Sequence, residues 1–131
     1  MENRFFENGW IRIENKGTYL HIEYKPNNVL LDVASARKVI EDAVSFAEGS
    51  IYPVLTDINN MPNHSREVRE YFAKEAGKTA VANAIITNNT FSKILANFFL
   101  SFNQPSTPTK IFNDQEKAIK WLSGFKVAVR N

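Results

Sequence analysis

Hydrophobic and polar residues alternate with period two over Trp10-Ile11-Arg12-Ile13-Glu14, and again over Thr18-Tyr19-Leu20-His21-Ile22-Glu23-Tyr24. Such alternation marks strands with one buried face. Asn15-Lys16-Gly17 between them is turn chemistry, so the pair predicts an antiparallel hairpin with Leu20 and Ile22 facing the core. His21 and Glu23 then point the other way. After Pro26-Asn27-Asn28, the short apolar run Val29-Leu30-Leu31 predicts a brief further strand, and Asp32 stands where a helix N-cap belongs.

Beyond residue 32 the period changes. Val33, Ala36, Ile40, Ala43, Val44 and Ala47 recur at helical spacing, and Gly49 stops that helix. Ile51-Tyr52-Pro53-Val54-Leu55 predicts a strand ending at Thr56-Asp57, although Pro53 supplies no ladder N–H and is awkward in a central strand. A second helix starts near Ser65, carries Val68, Phe72 and Ala76 on one face, and ends near Gly77. Val81 to Ile86 is apolar enough to predict a strand covered on both faces. Asn88-Asn89-Thr90 caps a third helix with an inner stripe of Phe91, Ile94, Leu95, Phe98 and Phe102, ended by Pro105 and Pro108. Lys110-Ile111-Phe112 predicts the last strand. Asn113 with Glu116 then forms a capping box for a fourth helix that buries Ala118, Ile119, Leu122 and Phe125. The order β-β-(β)-α-β-α-β-α-β-α predicts an α/β fold, a mixed β-sheet with packed helices, its later strands parallel and its crossovers right-handed.

The chain has 131 residues, which predicts a single domain over 1–131, with residues 1–9 as an N-terminal extension and 126–131 as a polar tail. It contains no Cys, which removes disulfides, thiol catalysis and thiolate metal sites. The 16 basic residues against 14 acidic ones leave +2, too weak a field to predict nucleic-acid binding. Arg66, Arg69, Lys74 and Lys78 alternate with Glu67, Glu70 and Glu75, the pattern of a solvated helix face. The N-terminus lacks the apolar stretch of a secretory signal and no window suits an integral membrane segment, so the expected location is cytoplasmic.

Five stretches together resemble the STAS/SEC14-like superfamily: TYLHIEYK (18–25), YPVLTDINN (52–60), REVREYFA (66–73), ILANFFLSFNQPSTPTKIF (94–112) and EKAIKWL (116–122). This is the fold of the bacterial anti-sigma-factor antagonists, and the chain more closely resembles a group of small uncharacterised bacterial proteins with that fold. The resemblance implies a SpoIIAA-like (STAS-like) β/α superhelix and no catalytic constellation or cofactor. It implies work through protein–protein contact or through binding a lipid or other apolar ligand. Antagonist-type members carry a phosphorylated Ser or Thr in an Asp-Ser-Ser-Gly type motif at the start of the helix after the Asp-ending strand. Here that stretch is Asn63-His64-Ser65-Arg66, so Ser65 is the hydroxyl the resemblance marks for phosphorylation.

In an open α/β sheet, ligands bind beyond the C-terminal ends of the strands. One such end supplies Asp57, Asn59, Asn60, His64, Ser65 and Arg66, and another supplies Asn88, Asn89 and Thr90. If the two strands are neighbours, these residues form one ligand or partner surface with two helix N-termini, which favour an anion. The same residue types are also the preferred caps and turn formers. A hydrolytic use of Asp57, Ser65 and His64 needs mutual hydrogen bonds and an oxyanion hole, yet no nucleophile elbow surrounds Ser65. His21 beside Glu23 falls short of a metal site, since two His and no Cys are a poor ligand supply. Phe99 and Leu100 lie outside the inner stripe of the third helix. With Phe98 they offer an apolar interface that packs on the fourth helix, joins a homodimer, or lines an apolar small-molecule cavity. The preferred expectation is a non-enzymatic regulatory domain with an as yet unknown protein partner. The alternatives are a small lipid or apolar-ligand binder and, third, a hydrolase.

Overall fold

The computed structural model describes residues 4–88 and 107–130. The N-terminal third is an antiparallel meander of β1 (Phe5–Glu7), β2 (Ile11–Asn15) and β3 (Leu20–Tyr24). The predicted hairpin is β2–β3. Its turn is held by Asn15, whose side-chain oxygen accepts from the Gly17 amide at 2.8 Å, and Gly17 takes the left-handed φ of +95° that the turn requires. Ile11, Ile13 and Leu20 are buried on one face, while Arg12 and Glu14 project from the other. β1 comes from the stretch read as an extension. It pairs along the edge of β2, with Phe6 opposite Ile13.

Val29-Leu30-Leu31 is not a strand. Asn27 accepts from the Val29 amide at 2.8 Å and folds the segment into a turn. Leu31 alone pairs, in a bridge to His64, and Val29 and Leu30 are left 62% and 60% exposed.

Helix α1 (Val33–Phe46) starts at Asp32, whose carboxylate accepts from the Ser35 amide at 2.8 Å. Its buried stripe is Ala36, Val39 and Ala43, so Val39 occupies the place expected of Ile40, which is half-buried at the edge of the stripe. The helix ends where Glu48 and Gly49 both turn left-handed, at φ +51° and +86°. β4 (Ser50–Asp57) follows and is central in the sheet despite Pro53. The register against β5 (Ala80–Ile86) breaks between Tyr52 and Pro53, and pairing with β3 begins only at Val54. A bulge of this kind tolerates a residue without an N–H.

Helix α2 (Arg66–Thr79) is capped by Ser65 and runs two residues past Gly77, straight into β5. After β6 (Thr109–Phe112) comes α3 (Gln115–Leu122). Its N-cap is Asp114 in place of the expected Asn113, with the Asp114 carboxylate accepting from the Glu116 amide at 2.9 Å and the Lys117 amide at 3.3 Å. The stretch read as a polar tail contributes β7 (Ala128–Val129), antiparallel to the start of β4. The predicted helix with Phe91 to Phe102 lies outside the described residues.

The sheet order is β1-β2-β3-β4-β5-β6, antiparallel through β3 and parallel from β3 to β6, with β7 off that path on β4. Because β3, β4 and β5 advance in one direction, crossovers of one hand put α1 and α2 on the same face. There Ala36, Val39, Ala43 and Val68 pack over Ile13, Leu20, Val54 and Ile85. Helix α3 covers the opposite face, with Ala118 and Leu122 against Leu55, Ala82, Ala84 and Ile86. The mixed α/β class predicted from the residue pattern is the observed one, with both faces of β4 and β5 buried.

Candidate functional site

The parallel strands β3, β4, β5 and β6 all deliver their C-terminal ends, Tyr24, Asp57, Ile86 and Phe112, to one rim. The chain leaves that rim in connections held by side chains the sequence singled out. Asp57 accepts from the Asn59 amide at 2.9 Å, an Asx turn that starts the 58–65 connection. Ile58 remains in the ladder, donating to the Ile86 carbonyl at 3.1 Å, and its side chain is buried. The Asn59 side-chain oxygen then accepts from the Asn88 amide at 3.1 Å. The 58–65 connection and the chain leaving β5 are therefore neighbours on one rim, joined directly at Asn59 and Asn88.

A third connection belongs to the same surface. Leu31 donates its amide to the Asn63 carbonyl at 2.9 Å and bridges His64, which ties the 25–32 segment to the 58–65 loop. Val29 and Leu30 project from that segment as exposed apolar side chains. The residue pattern had assigned them to a strand. The signal that points to a turn is Asn27, two residues before Val29, in the Asx position. Asn60, Asn63, Ser65, Arg66 and Asn88 are exposed on the connections tied to that segment, so the rim carries both exposed apolar and exposed polar side chains. Asn89, Thr90, Phe98, Phe99 and Leu100 lie outside the described residues.

His64, Ser65 and Asp57 do not form a triad. His64 donates from Nδ1 to the Pro62 carbonyl at 2.8 Å, and its Nε2 is buried without a hydrogen-bond partner among the described residues. Burial, helped by the charge of Arg69, pushes the imidazole below its ordinary pKa of 6.5 against the opposing pull of the Pro62 carbonyl. Ser65 Oγ is committed to the helix cap, accepting from the Val68 amide at 3.4 Å. The Asp57 carboxylate is committed to the Asn59 amide. Each of the three has a local structural partner, and none bonds to another. Arg66 forms an ion pair with Glu70 one turn on, at 3.2 Å.

His21 and Glu23 lie on the opposite sheet face from Leu20 and Ile22, as the alternation predicts. In register they face Glu14 and Arg12 of β2 and Leu55 and Asp57 of β4. Among the described residues no three His, Asp or Glu side chains converge on a position suited to a metal ion. Nor is any described helix long and apolar enough to cross a membrane.

On the other side of β3, β4 and β5, beneath α1 and α2, lies a cavity of about 110 Å³. Its wall at the sheet includes a hydrogen bond from the Thr56 hydroxyl, as donor, to the Asn83 side-chain oxygen at 3.0 Å. The sequence carried a signal for this feature that residue patterning passed over, namely the lone Asn83 in the apolar strand VANAII.

Comparison with solved structures finds an uncharacterised protein of the DUF3478 family with a SpoIIAA-like fold, from Shewanella loihica. It is 22% identical, the match covers 89% of this chain and 98% of that one, and the TM-score is 0.61. That likeness establishes the fold, in agreement with the STAS-like resemblance. No curated protein matches the sequence. The family model described as a domain of unknown function, DUF7793, matches residues 11–126, from the first buried strand to the residue after Phe125, and the chain belongs to that family.

Proposed function

We propose that the protein is a non-enzymatic, cytoplasmic regulatory domain that binds a protein partner through the C-terminal rim of its sheet. The observation that carries this reading is the hydrogen bond from the Asn88 amide to Asn59, which makes one continuous surface of two connections far apart in sequence. The Leu31–Asn63 bond extends that surface to the exposed pair Val29 and Leu30. An apolar tip together with exposed amides, a hydroxyl and a guanidinium has the composition of a small protein interface.

Ser65 is the control point on this reading. It is exposed at the N-terminus of α2, where a phosphate would meet free backbone N–H groups, the positive end of the helix and the adjacent Arg66. Phosphorylation adds charge beside the apolar tip and alters the partner contact.

The test is affinity capture from native cells with wild-type bait, Leu30→Asp, Ser65→Asp and the hairpin-face control Glu14→Gln. The expected result is a discrete partner retained by wild type and Glu14→Gln and lost by Leu30→Asp, with Ser65→Asp changing its yield. Equal capture by all four baits contradicts the reading.

A further inference from the structure

Alanines shape the cavity under the helices. Ala43 on α1, Ala73 on α2 and Ala80 on β5 stand where the two helices and the sheet face one another, and their small side chains leave the space open. The floor includes Ile22, Val54 and Ile85, and the roof includes Val39 and Phe72. No Asp, Glu, Lys, Arg or His belongs to the described lining. The one ionisable group there is Tyr24, whose hydroxyl burial keeps protonated. Such a cavity penalises a charged occupant heavily.

Water is also a poor occupant for most of this volume, because a bound water needs two to four polar partners and the walls are largely apolar. The exception is one end. Thr56 donates its hydroxyl to the Asn83 side-chain oxygen, which fixes the orientation of that amide and leaves Asn83 Nδ2 with no acceptor among the described residues. An engineered apolar cavity of about 150 Å³ holds benzene, so a space somewhat smaller suits about six heavy atoms.

We infer that this cavity is a binding site for a small neutral molecule with an apolar body, about the size of one six-membered ring, and one hydrogen-bond acceptor directed at Asn83 Nδ2. The site is separate from the rim, and its occupancy does not depend on the partner reading above. The ring replaces the packing that the three alanines omit, and its acceptor completes the Thr56–Asn83 pair.

The experiment is a titration of the full chain with phenol, toluene and benzoate, followed by the methyl NMR signals of Ile22, Val54 and Ile85. Phenol and toluene are expected to move these signals saturably, and benzoate at equal concentration is not. One added hydrogen bond makes phenol bind about 3- to 10-fold tighter than toluene. Asn83→Leu should bring that ratio close to one. Thr56→Val, which frees the Asn83 amide to rotate, should lower the ratio in the same direction and serves if the first variant does not fold. Ala43→Leu, or Ala80→Val as a second filler, should abolish both shifts while the circular dichroism spectrum stays native. Methyl signals unmoved by phenol and toluene overturn the site. Saturable binding of benzoate overturns the neutral class, and a phenol preference that survives both polar variants overturns the role of Asn83.

Discussion

Leu122 is the most informative single truncation in this fold. It is 2% exposed on α3 and packs on the sheet face opposite α1 and α2. The buried core there has six members, and Ala82, Ala84 and Ala118 are three of them. Leu122→Ala removes three carbon groups, about 2.4 kcal/mol of transfer free energy at ~0.8 kcal/mol each. The void adds to this, because alanines fixed on strands and a helix have no side-chain length with which to refill it. The total falls at about 3–4 kcal/mol, inside the range of about 2.7–5.0 kcal/mol for buried Leu→Ala changes. Against a total stability of about 5–15 kcal/mol, that is a large fraction. The assay is urea unfolding at equilibrium, followed by Trp fluorescence and far-ultraviolet circular dichroism. With a slope of about 2 kcal/mol per molar urea, the midpoint should drop by about 1.5–2 M. Leu30→Ala, on the exposed tip, should stay within about 0.5 kcal/mol of wild type. A Leu122→Ala loss below about 1 kcal/mol would refute the placement of this side chain between α3 and the sheet.

Three further outcomes follow from particular geometry. Gly49→Ala meets no atom within 4 Å of the new methyl, so its cost is the left-handed φ of +86° alone, about 1–2 kcal/mol in thermal or urea unfolding, and a neutral result would place the turn elsewhere. The His64 imidazole is held below 6.5 in the folded state, so the unfolded chain binds the proton first. The stability this residue contributes is full above pH 6.5 and is lost as pH falls through the folded value; His64→Gln should flatten the loss between pH 7 and 5, and parallel profiles would contradict it. Tyr24 is shifted the other way by burial. Its contribution is full below the ordinary value of 10.0 and is lost as pH rises above it, so Tyr24→Phe should unfold with a shallower alkaline slope, whereas an unchanged slope would mean the hydroxyl reaches solvent.

The fold was legible wherever local pattern and long-range packing agree. Period-two alternation located β2 and β3 with the correct inward residues, and Asp32 and Ser65 marked helix starts because a capping side chain acts within three residues of itself. Pattern misled where a partner distant in sequence decides the outcome. Phe5–Glu7 and Ala128–Val129 are too short to announce themselves, and become strands only because β2 offers an unpaired edge and Ser50 and Ile51 of β4 precede its pairing with β3 and β5. Pro53 argued against a central strand, and the bulge that accommodates it depends on β5. Val29-Leu30 had strand composition, but Asn27 captured the backbone first. For the site, strand-end polar residues identified the rim, since strand direction alone sends Asp57 and Ile86 to one edge. The Asn59–Asn88 bond itself, and the cavity lined by three alanines, depend on tertiary placement that no local period encodes.

The partner surface is tested most directly by site-specific photocrosslinking, which a chain without cysteine makes simple. Single cysteines at Leu30, Asn60 and Glu14 are each labelled with the same photoreactive group and irradiated under native conditions. Adducts of one common mass from the Leu30 and Asn60 positions, and none from Glu14, are the predicted result. Adducts from Glu14 alone, or the same yield from all three positions, would contradict a partner surface on the rim.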